Sequence, residues 1–473
     1  MLVKRVCLFL GLFLFISFPA LWGQNDLTAR LDLLIKNNLP SGSEVGVSIY
    51  DLTDRHPLYA YRADKLSRPA STMKLLTSIT TLAQPRWDDP FRTEVWYKGF
   101  IEHDVLHGDI YVVGGFDPEF DDEAMDSLVN EVAAFPFSSI EGTVYGDVSM
   151  KDSLYWGNGW LWDDNPSSFQ PYLSPLMYHK GMVKITATPG KRGEKAVLQC
   201  EPQSSFYALY NETQSHTPSA GKFLVSRNWL KNENKIVVRG NVEHKRTGEV
   251  NVYTSQDFFM HTFVERLCEK GITIPDAYAY SEFAPDTTAV RMASWDTSVQ
   301  DAMSQLLKES DNLNAEAFLH RLGAQYTKKK RISADDGIQA IKHLIEQLGH
   351  LPDDYKLVDG SGLSNYNYVS PGLLVDLLKY AYSSTEIFQG LYKSLPIAGI
   401  DGTLKDRMKT GKAYRNITAK TGTITGISCL AGYVQTSGNH ILAFAIMNQN
   451  TLSASKTRKL QDMICEELVK YSF

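Results

Sequence analysis

Arg68-Pro69-Ala70-Ser71-Thr72-Met73-Lys74-Leu75-Leu76-Thr77 is the stretch on which the reading of this chain turns. Pro69 suits the position just ahead of a helix, and Ser71 suits its first turn. Leu75, Leu76, Ile79 and Leu82 recur at spacings of three and four, the pattern of a buried helix. Residues i and i+3 share a helix face, so the Lys74 ammonium can reach the Ser71 hydroxyl. A serine hydroxyl is a poor nucleophile until a base takes its proton. A lysine desolvated against apolar neighbours is partly neutral and can be that base. An N-cap role for Ser71 is the competing structural reading.

Ser-x-x-Lys occurs at two further places. Ser219-Ala220-Gly221-Lys222 lies in a Thr/Pro/Ser/Gly stretch that reads as a loop, where the spacing has no helical meaning. Ser453-Ala454-Ser455-Lys456 opens the last predicted helix, where a capping serine explains it. Only Ser71 starts a helix apolar enough to be central.

The rest of the chain sets the frame. Its 473 residues are too many for one ordinary core, so two or three domains are expected. At 43% hydrophobic and 22% charged, it has the composition of a globular protein, and a net charge of −6 argues against a nucleic-acid partner. Residues 1–23 read as a secretory signal, with Lys4 and Arg5 ahead of the apolar run Val6 to Phe18 and a cut expected near Gly23. An uncleaved anchor is the competing reading. No later stretch is long and apolar enough to span a bilayer, so an exported, periplasmic protein is expected. Cys200, Cys268, Cys429 and Cys465 show no C-x-x-C spacing, and no H-E-x-x-H pattern occurs, so neither a metal site nor a cofactor is expected. Disulfide pairing and a homo-oligomeric state stay open.

Along the chain, 27–37 reads as an amphipathic helix, and Val45 to Tyr50 with Leu58 to Tyr61 as a hairpin leading into the Ser71 helix. From about Pro90 to Thr288, short strand-like runs alternate with Gly, Asp and Pro, the pattern of one or two β-rich modules. Gly157 to Asp164 holds an aromatic cluster, read as module core or a domain seam. Helices are expected again at Val299 to Lys308, Asn314 to Leu322, Ala334 to Leu348 and Pro371 to Tyr382. A β section from Thr418 to Asn448 and a helix from Ser453 to Lys470 close the chain.

Two further motifs give Ser71 partners. Ser310-Asp311-Asn312 sits in a polar break between helices, where a hydroxyl could relay a proton and an amide could bind a peptide. A plain helix cap is its structural alternative. Similar triplets at Ser226-Arg227-Asn228 and Ser437-Gly438-Asn439 fall in the β-rich region and in a turn. Lys420-Thr421-Gly422-Thr423 opens the last β section, where glycine lets a ligand backbone approach an edge strand. Lys420 and Thr421 could hold a carboxylate there, and the N–H groups of Thr423 and Ser71 could hold an oxyanion. Lys409-Thr410-Gly411 has no strand pattern around it.

In this order the three motifs match those of penicillin-binding proteins and class A β-lactamases. The long separation of Ser71 from Ser310 narrows this. The chain resembles the D-alanyl-D-alanine carboxypeptidases of the penicillin-binding protein 4 type, the S13 serine peptidases. The resemblance covers essentially the whole mature chain, including Pro69 to Leu75, Gly157 to Asp164, Asp359-Gly360-Ser361-Gly362-Leu363-Ser364, Asp401 to Leu404 and Ala419 to Thr423. It departs at Asn365, where the family usually has arginine, at Tyr368, usually aliphatic, and at Phe116, usually glycine.

The resemblance implies an α/β (α+β) chain with a transpeptidase-like domain, an antiparallel sheet flanked by helices. That domain would comprise 24–89 and 289–473, with a β-rich insert of two subdomains over 90–288. It implies attack by Ser71 on the bond between two D-alanines of a peptidoglycan stem peptide, with Lys74 as base. Ser310, aided by Lys420, would pass a proton to the leaving D-alanine, whose carboxylate lies near Thr421, and Asn312 would hold the acyl side. β-Lactams would acylate Ser71, and cleavage of D-alanyl cross-links would be an added endopeptidase activity. The rivals are a β-lactamase, which needs a deacylating base such as the glutamate of Glu-x-x-Leu-Asn, absent between Ser310 and Lys420, and a catalytically idle wall-binding protein.

Overall fold

Strands from opposite ends of the chain build one sheet. β1 (Glu44–Asp51) and β2 (His56–Tyr61) form the expected hairpin. They join β3 (Ile417–Ile424), β4 (Ile427–Gln435) and β5 (Ile441–Gln449) in the order β3-β4-β5-β1-β2, antiparallel throughout. The computed structural model describes residues 18–275 and 277–472, with side chains from Asp26 onward. The expected leader over 1–23 and its cleavage site lie outside the residues whose side chains are described. No described helix is long and apolar enough to cross a membrane.

The sheet is covered on both faces, which is why β4 and β5 read as nearly continuous apolar runs rather than alternating ones. Along β4 the side chains part by the period of two. Leu430 and Val434 pack with Leu27 and Leu31 of α1 (Phe18–Asn38) and Leu460 and Ile464 of the C-terminal helix Ala454–Val469. Cys429, Ala431 and Tyr433 face the larger core. At the centre of that core lies α2 (Met73–Leu82), all of whose residues are buried. It packs against α3 (Asn312–Thr327), and helices Ala334–Gln347 and Pro371–Ser383 complete the layer.

The region between the two halves of the sheet is richer in helix than its sequence suggested. A six-stranded sheet runs from Phe91–Glu102 through to Ala289–Thr297, which pair antiparallel, so this sheet continues past the expected boundary at 288. Two three-stranded sheets follow within it, one from 182–251 and one from 208–242. Helices Asp122–Ala133 and Ser255–Glu269 lie in the same region and were not expected. Their signals are plain in retrospect. Asp121 caps the first by accepting from the N–H groups of Glu123 and Ala124, and Ala124, Met125, Leu128, Val129 and Val132 line its buried stripe. The frequent Gly, Asp and Pro around them masked that periodicity.

All four described cysteines are free thiols. Emptying the core beneath the Ser71 turn has a definite cost. Leu76→Ala should destabilise the protein by about 2–5 kcal/mol, the range for a fully buried leucine, read as a lower urea midpoint with unchanged slope.

Candidate active site

Ser71 sits in the single 3-10 turn Ala70–Thr72 that leads straight into α2, and its side chain does not cap the helix. The turn holds its hydroxyl out of the core, while Lys74, one turn on, is wholly buried. Lys74 Nζ lies 3.0 Å from Ser71 Oγ, 2.7 Å from Asn312 Oδ1 and 2.8 Å from the Ser361 carbonyl oxygen. Burial pulls the Lys74 amine down to about 8, against the opposing pull of the Asp359, Asp311 and Glu316 carboxylates. A neutral lysine has two N–H bonds and one lone pair. With the two N–H groups donating to Asn312 and Ser361, the lone pair is left for the Ser71 hydroxyl proton.

The Lys-Thr-Gly strand closes on Ser71 from the other side. A Cβ on Gly422 would come within 2.7 Å of the Pro69 carbonyl and 3.0 Å of the Ser71 nitrogen, so only glycine lets β3 approach the turn this closely. Lys420 is fully buried and donates to the Thr421 carbonyl at 2.9 Å. Burial, and then the neighbouring Lys74 charge, hold its amine well below the usual range. Thr421 Oγ1 donates to Thr403 Oγ1 at 2.8 Å, which brings in the Asp401 to Leu404 motif. The Thr423 hydroxyl accepts from Arg458. The decoy Lys409-Thr410-Gly411 lies outside any strand, and Ser453 caps the last helix as expected.

Ser310-Asp311-Asn312 combines both of its sequence readings. Ser310 ends a π-helical turn in a left-handed conformation, φ 65° and ψ 32°. Asp311 is the N-cap of α3, accepting from the Asn314 N–H, and Asn312 is thereby turned to Lys74. Asn312 Nδ2 donates to the Phe169 carbonyl at 2.9 Å. Its oxygen, expected to take a peptide N–H, is here the partner of Lys74. The Ser310 hydroxyl makes no hydrogen bond among the described residues.

Three supports had no functional reading in the sequence, and only Asp359 lies in a motif quoted there. Asp359, fully buried, accepts from the N–H groups of Gly362 (2.8 Å) and Ser364 (2.7 Å), from Asn367 Nδ2 (2.7 Å) and from Trp160 Nε1 (3.1 Å). Glu316 of α3 accepts from the N–H groups of Gly360 and Ser361, which aims the Ser361 carbonyl at Lys74. Burial and the nearby Asp359 push the Glu316 carboxyl up to about 8. Gly362, at φ +78°, is required twice over, since a Cβ there would fall 1.9 Å from the Ala70 carbonyl. Trp160 is thus a seam residue, as expected of the aromatic cluster. Trp162 is not, being 68% exposed.

Lys180 is the third support, and it comes from the inserted region. Its Nζ contacts Glu119 Oε1 at 2.7 Å, Asp311 Oδ2 at 2.8 Å and Asn314 Oδ1 at 3.1 Å. Despite the cost of burying Asp311, the Lys180 ammonium and the Asn314 N–H hold its carboxyl below the usual range. At the departure positions, Arg68 Nε donates to the Asn365 carbonyl at 3.0 Å, and its guanidinium lies over the Tyr368 ring at 5.3 Å.

Comparison with known proteins extends the likeness over the whole length. Residues 27–470 match the D-Ala-D-Ala carboxypeptidase 3 (S13) family. The D-alanyl-D-alanine carboxypeptidase of Actinomadura sp. (strain R39) is 27% identical over 463 residues, 94% of this chain and 85% of that one. The D-alanyl-D-alanine carboxypeptidase DacB of Haemophilus influenzae is 25% identical over 421 residues, 87% of this chain and 86% of that one. The crystal structure of penicillin binding protein 4 (dacB) from H. influenzae shares the fold, with a TM-score of 0.80 over 93% of this chain and 99% of that one at 22% identity. A second structure of that protein, complexed with a β-lactam, aligns with a TM-score of 0.75 over 94% of this chain and 99% of that one at 21% identity.

The Lys180 clamp has a measurable signature. Lys180 and Asp311 keep side-chain exposures of 22% and 20%. Lys180→Met should therefore cost roughly 2–3 kcal/mol, below the range for a fully buried pair. Because the Asp311 pKa is depressed, the stability it contributes is present above the ordinary carboxylate pKa and fades as pH falls through the folded value. The gap between wild type and Lys180→Met in thermal melts should accordingly narrow below about pH 4. A gap that widened there would contradict the clamp.

Proposed function

We infer that this chain, which belongs to the D-Ala-D-Ala carboxypeptidase 3 (S13) family, is a serine-type D-alanyl-D-alanine carboxypeptidase with Ser71 as its nucleophile. The observation that carries the residue assignment is the 3.0 Å approach of a buried, partly neutral Lys74 amine to Ser71 Oγ. Lys74 takes the hydroxyl proton as Ser71 Oγ attacks the carbonyl carbon between two D-alanines of a peptidoglycan stem peptide. The oxyanion forms against the N–H groups of Ser71 and Thr423, a device whose loss typically costs about a hundredfold or more. The C–N bond then breaks. The departing D-alanine nitrogen takes a proton through Ser310, which Lys420 supports, and Thr421 binds its carboxylate. Asn312 holds Lys74 and borders the acyl side. Water completes the turnover by hydrolysing the ester on Ser71.

The same steps on a D-alanyl amide of a cross-link constitute DD-endopeptidase activity. A β-lactam presents a strained acyl donor to the same serine, so a penicilloyl ester on Ser71 is expected. The arrangement favours a peptidase over a β-lactamase. Glu316 is a glutamate whose charge acts on Lys74, but it is fully buried and spends one oxygen on two backbone N–H groups. The leader read over 1–23 supports an exported, periplasmic location. The strand pairing supports a catalytic part drawn from both ends of the chain and a long insertion whose second boundary lies beyond Thr297.

Two measurements test this reading. Ser71→Ala should abolish both D-alanine release and labelling by a fluorescent penicillin while the thermal midpoint stays near wild type. Labelling that persisted would remove Ser71 as nucleophile. Acylation needs the neutral form of a lysine held at about 8. Its second-order rate should therefore rise about tenfold per pH unit below 8 and level off above it, and a flat profile from pH 6 to 9 would argue against Lys74 as base.

A further inference from the structure

Trp162 and Trp229 stand outside everything the active site uses. Trp162 is 68% exposed, and its ring lies 5.1 Å from that of Trp229 at an interplanar angle of 43°. Leu230, 73% exposed, follows Trp229. The two rings come from separate parts of the insertion, Trp162 from the loop after Gly159 and Trp229 from the turn that follows strand Leu224–Arg227. Large aromatic side chains are usually buried, and a contiguous exposed apolar patch with a polar rim marks a binding surface.

Beside Trp229 the open face of the sheet built from 208–215, 224–227 and 235–242 forms a hollow of about 580 Å³. Tyr210, Glu212, Ser226, Asn228, Lys235 and Arg239 line it. The hollow thus offers hydroxyl, amide, acid and base groups, and Asn228 on its rim directly precedes Trp229 in the chain. That mixture suits a hydroxyl-rich polymer whose C–H faces stack on rings and whose hydroxyls bond to the rim.

The patch is continuous with the active site through one hydrogen-bonded loop. Phe169 offers its carbonyl to Asn312 Nδ2 at 2.9 Å, and Gln170 Nε2 donates to the Leu161 carbonyl at 2.9 Å. The Asn165 N–H donates back to the Trp162 carbonyl at 3.3 Å. The segment that borders the acyl side of Ser71 is therefore the one that presents Trp162. A peptidoglycan stem peptide carries its D-alanines at one end and is joined to a sugar at the other.

We propose that Trp162, Trp229 and the adjoining sheet hollow form a saccharide-binding surface that holds the glycan strand of peptidoglycan while the attached stem peptide reaches Ser71. The inference rests on the peptidoglycan reading above. The surface acts on substrates that carry sugar and is silent toward free peptides.

The test uses the full chain and two probes, peptide-free glycan strands prepared by amidase digestion and a free pentapeptide ending in D-alanyl-D-alanine. The Ser71→Ala protein should cosediment with or retard the glycan strands. Trp162→Ala/Trp229→Ala in that background should bind them at least about tenfold more weakly, as for a tryptophan hot spot. In the Ser71 enzyme, the same pair of substitutions should leave kcat/KM on the free pentapeptide within about twofold. Equal glycan binding by parent and variant, or none by the parent, overturns the proposal, as does a parent that binds a protein from solution at this face but no glycan. Tyr210→Ala, on the open sheet face and 47% exposed, is the second variant should the tryptophan pair impair folding. It should also weaken glycan binding, and unchanged binding counts against the surface. If tryptophan-dependent glycan binding is seen while the Ser71 enzyme fails to release D-alanine from the pentapeptide, the carboxypeptidase reading fails and the saccharide surface stands.

Discussion

A desolvated amine is the constraint around which the rest is arranged. Lys74 has no water to share its charge, and burial lowers its proton affinity far enough for the neutral form to be populated near neutral pH. Its three neighbours are all oxygen atoms, from Ser71, Asn312 and Ser361. The protonated amine can donate to all three. The neutral amine can donate to two and accept from the hydroxyl. The arrangement therefore accommodates either protonation state of the amine without moving a heavy atom.

Holding those oxygens in place consumes much of the surrounding polar structure. Asp359 and Glu316 between them take up the N–H groups of Gly360, Ser361, Gly362 and Ser364, and so freeze the loop that presents the Ser361 carbonyl. Lys180 and Glu119 of the insertion grip the loop at Asp311, while Phe169 meets Asn312. Residues from 119 to 180 thus hold the segment that faces Lys74. The same loop that supplies Phe169 turns Trp162 outward.

Much of this could be read from local pattern. The Ser71 helix, the first hairpin and the closing β section each carry periodicity strong enough to survive any tertiary context, and their bounds agree with the observed elements within a few residues. The two helices of the insertion escaped notice because short polar breaks on either side hid stripes of three- and four-residue spacing. The aromatic cluster could not be read as one unit. Trp160 turns inward to Asp359 and Trp162 outward to Trp229, although only one residue separates them.

Sequence by itself determined the motifs and the family they mark: a serine and a lysine one helical turn apart, a Ser-x-Asn break and a Lys-Thr-Gly strand, in that order. Those features are local, because spacing along a helix or strand is set by backbone geometry alone. Only the tertiary structure decided which of the repeated motifs meet, that Asn312 faces Lys74 instead of open solvent, and that Glu316, Asp359 and Lys180 hold them. These depend on burial and on contacts between residues far apart in the chain. Desolvation, the term that tunes Lys74, is a property of the whole fold and is written in no single segment.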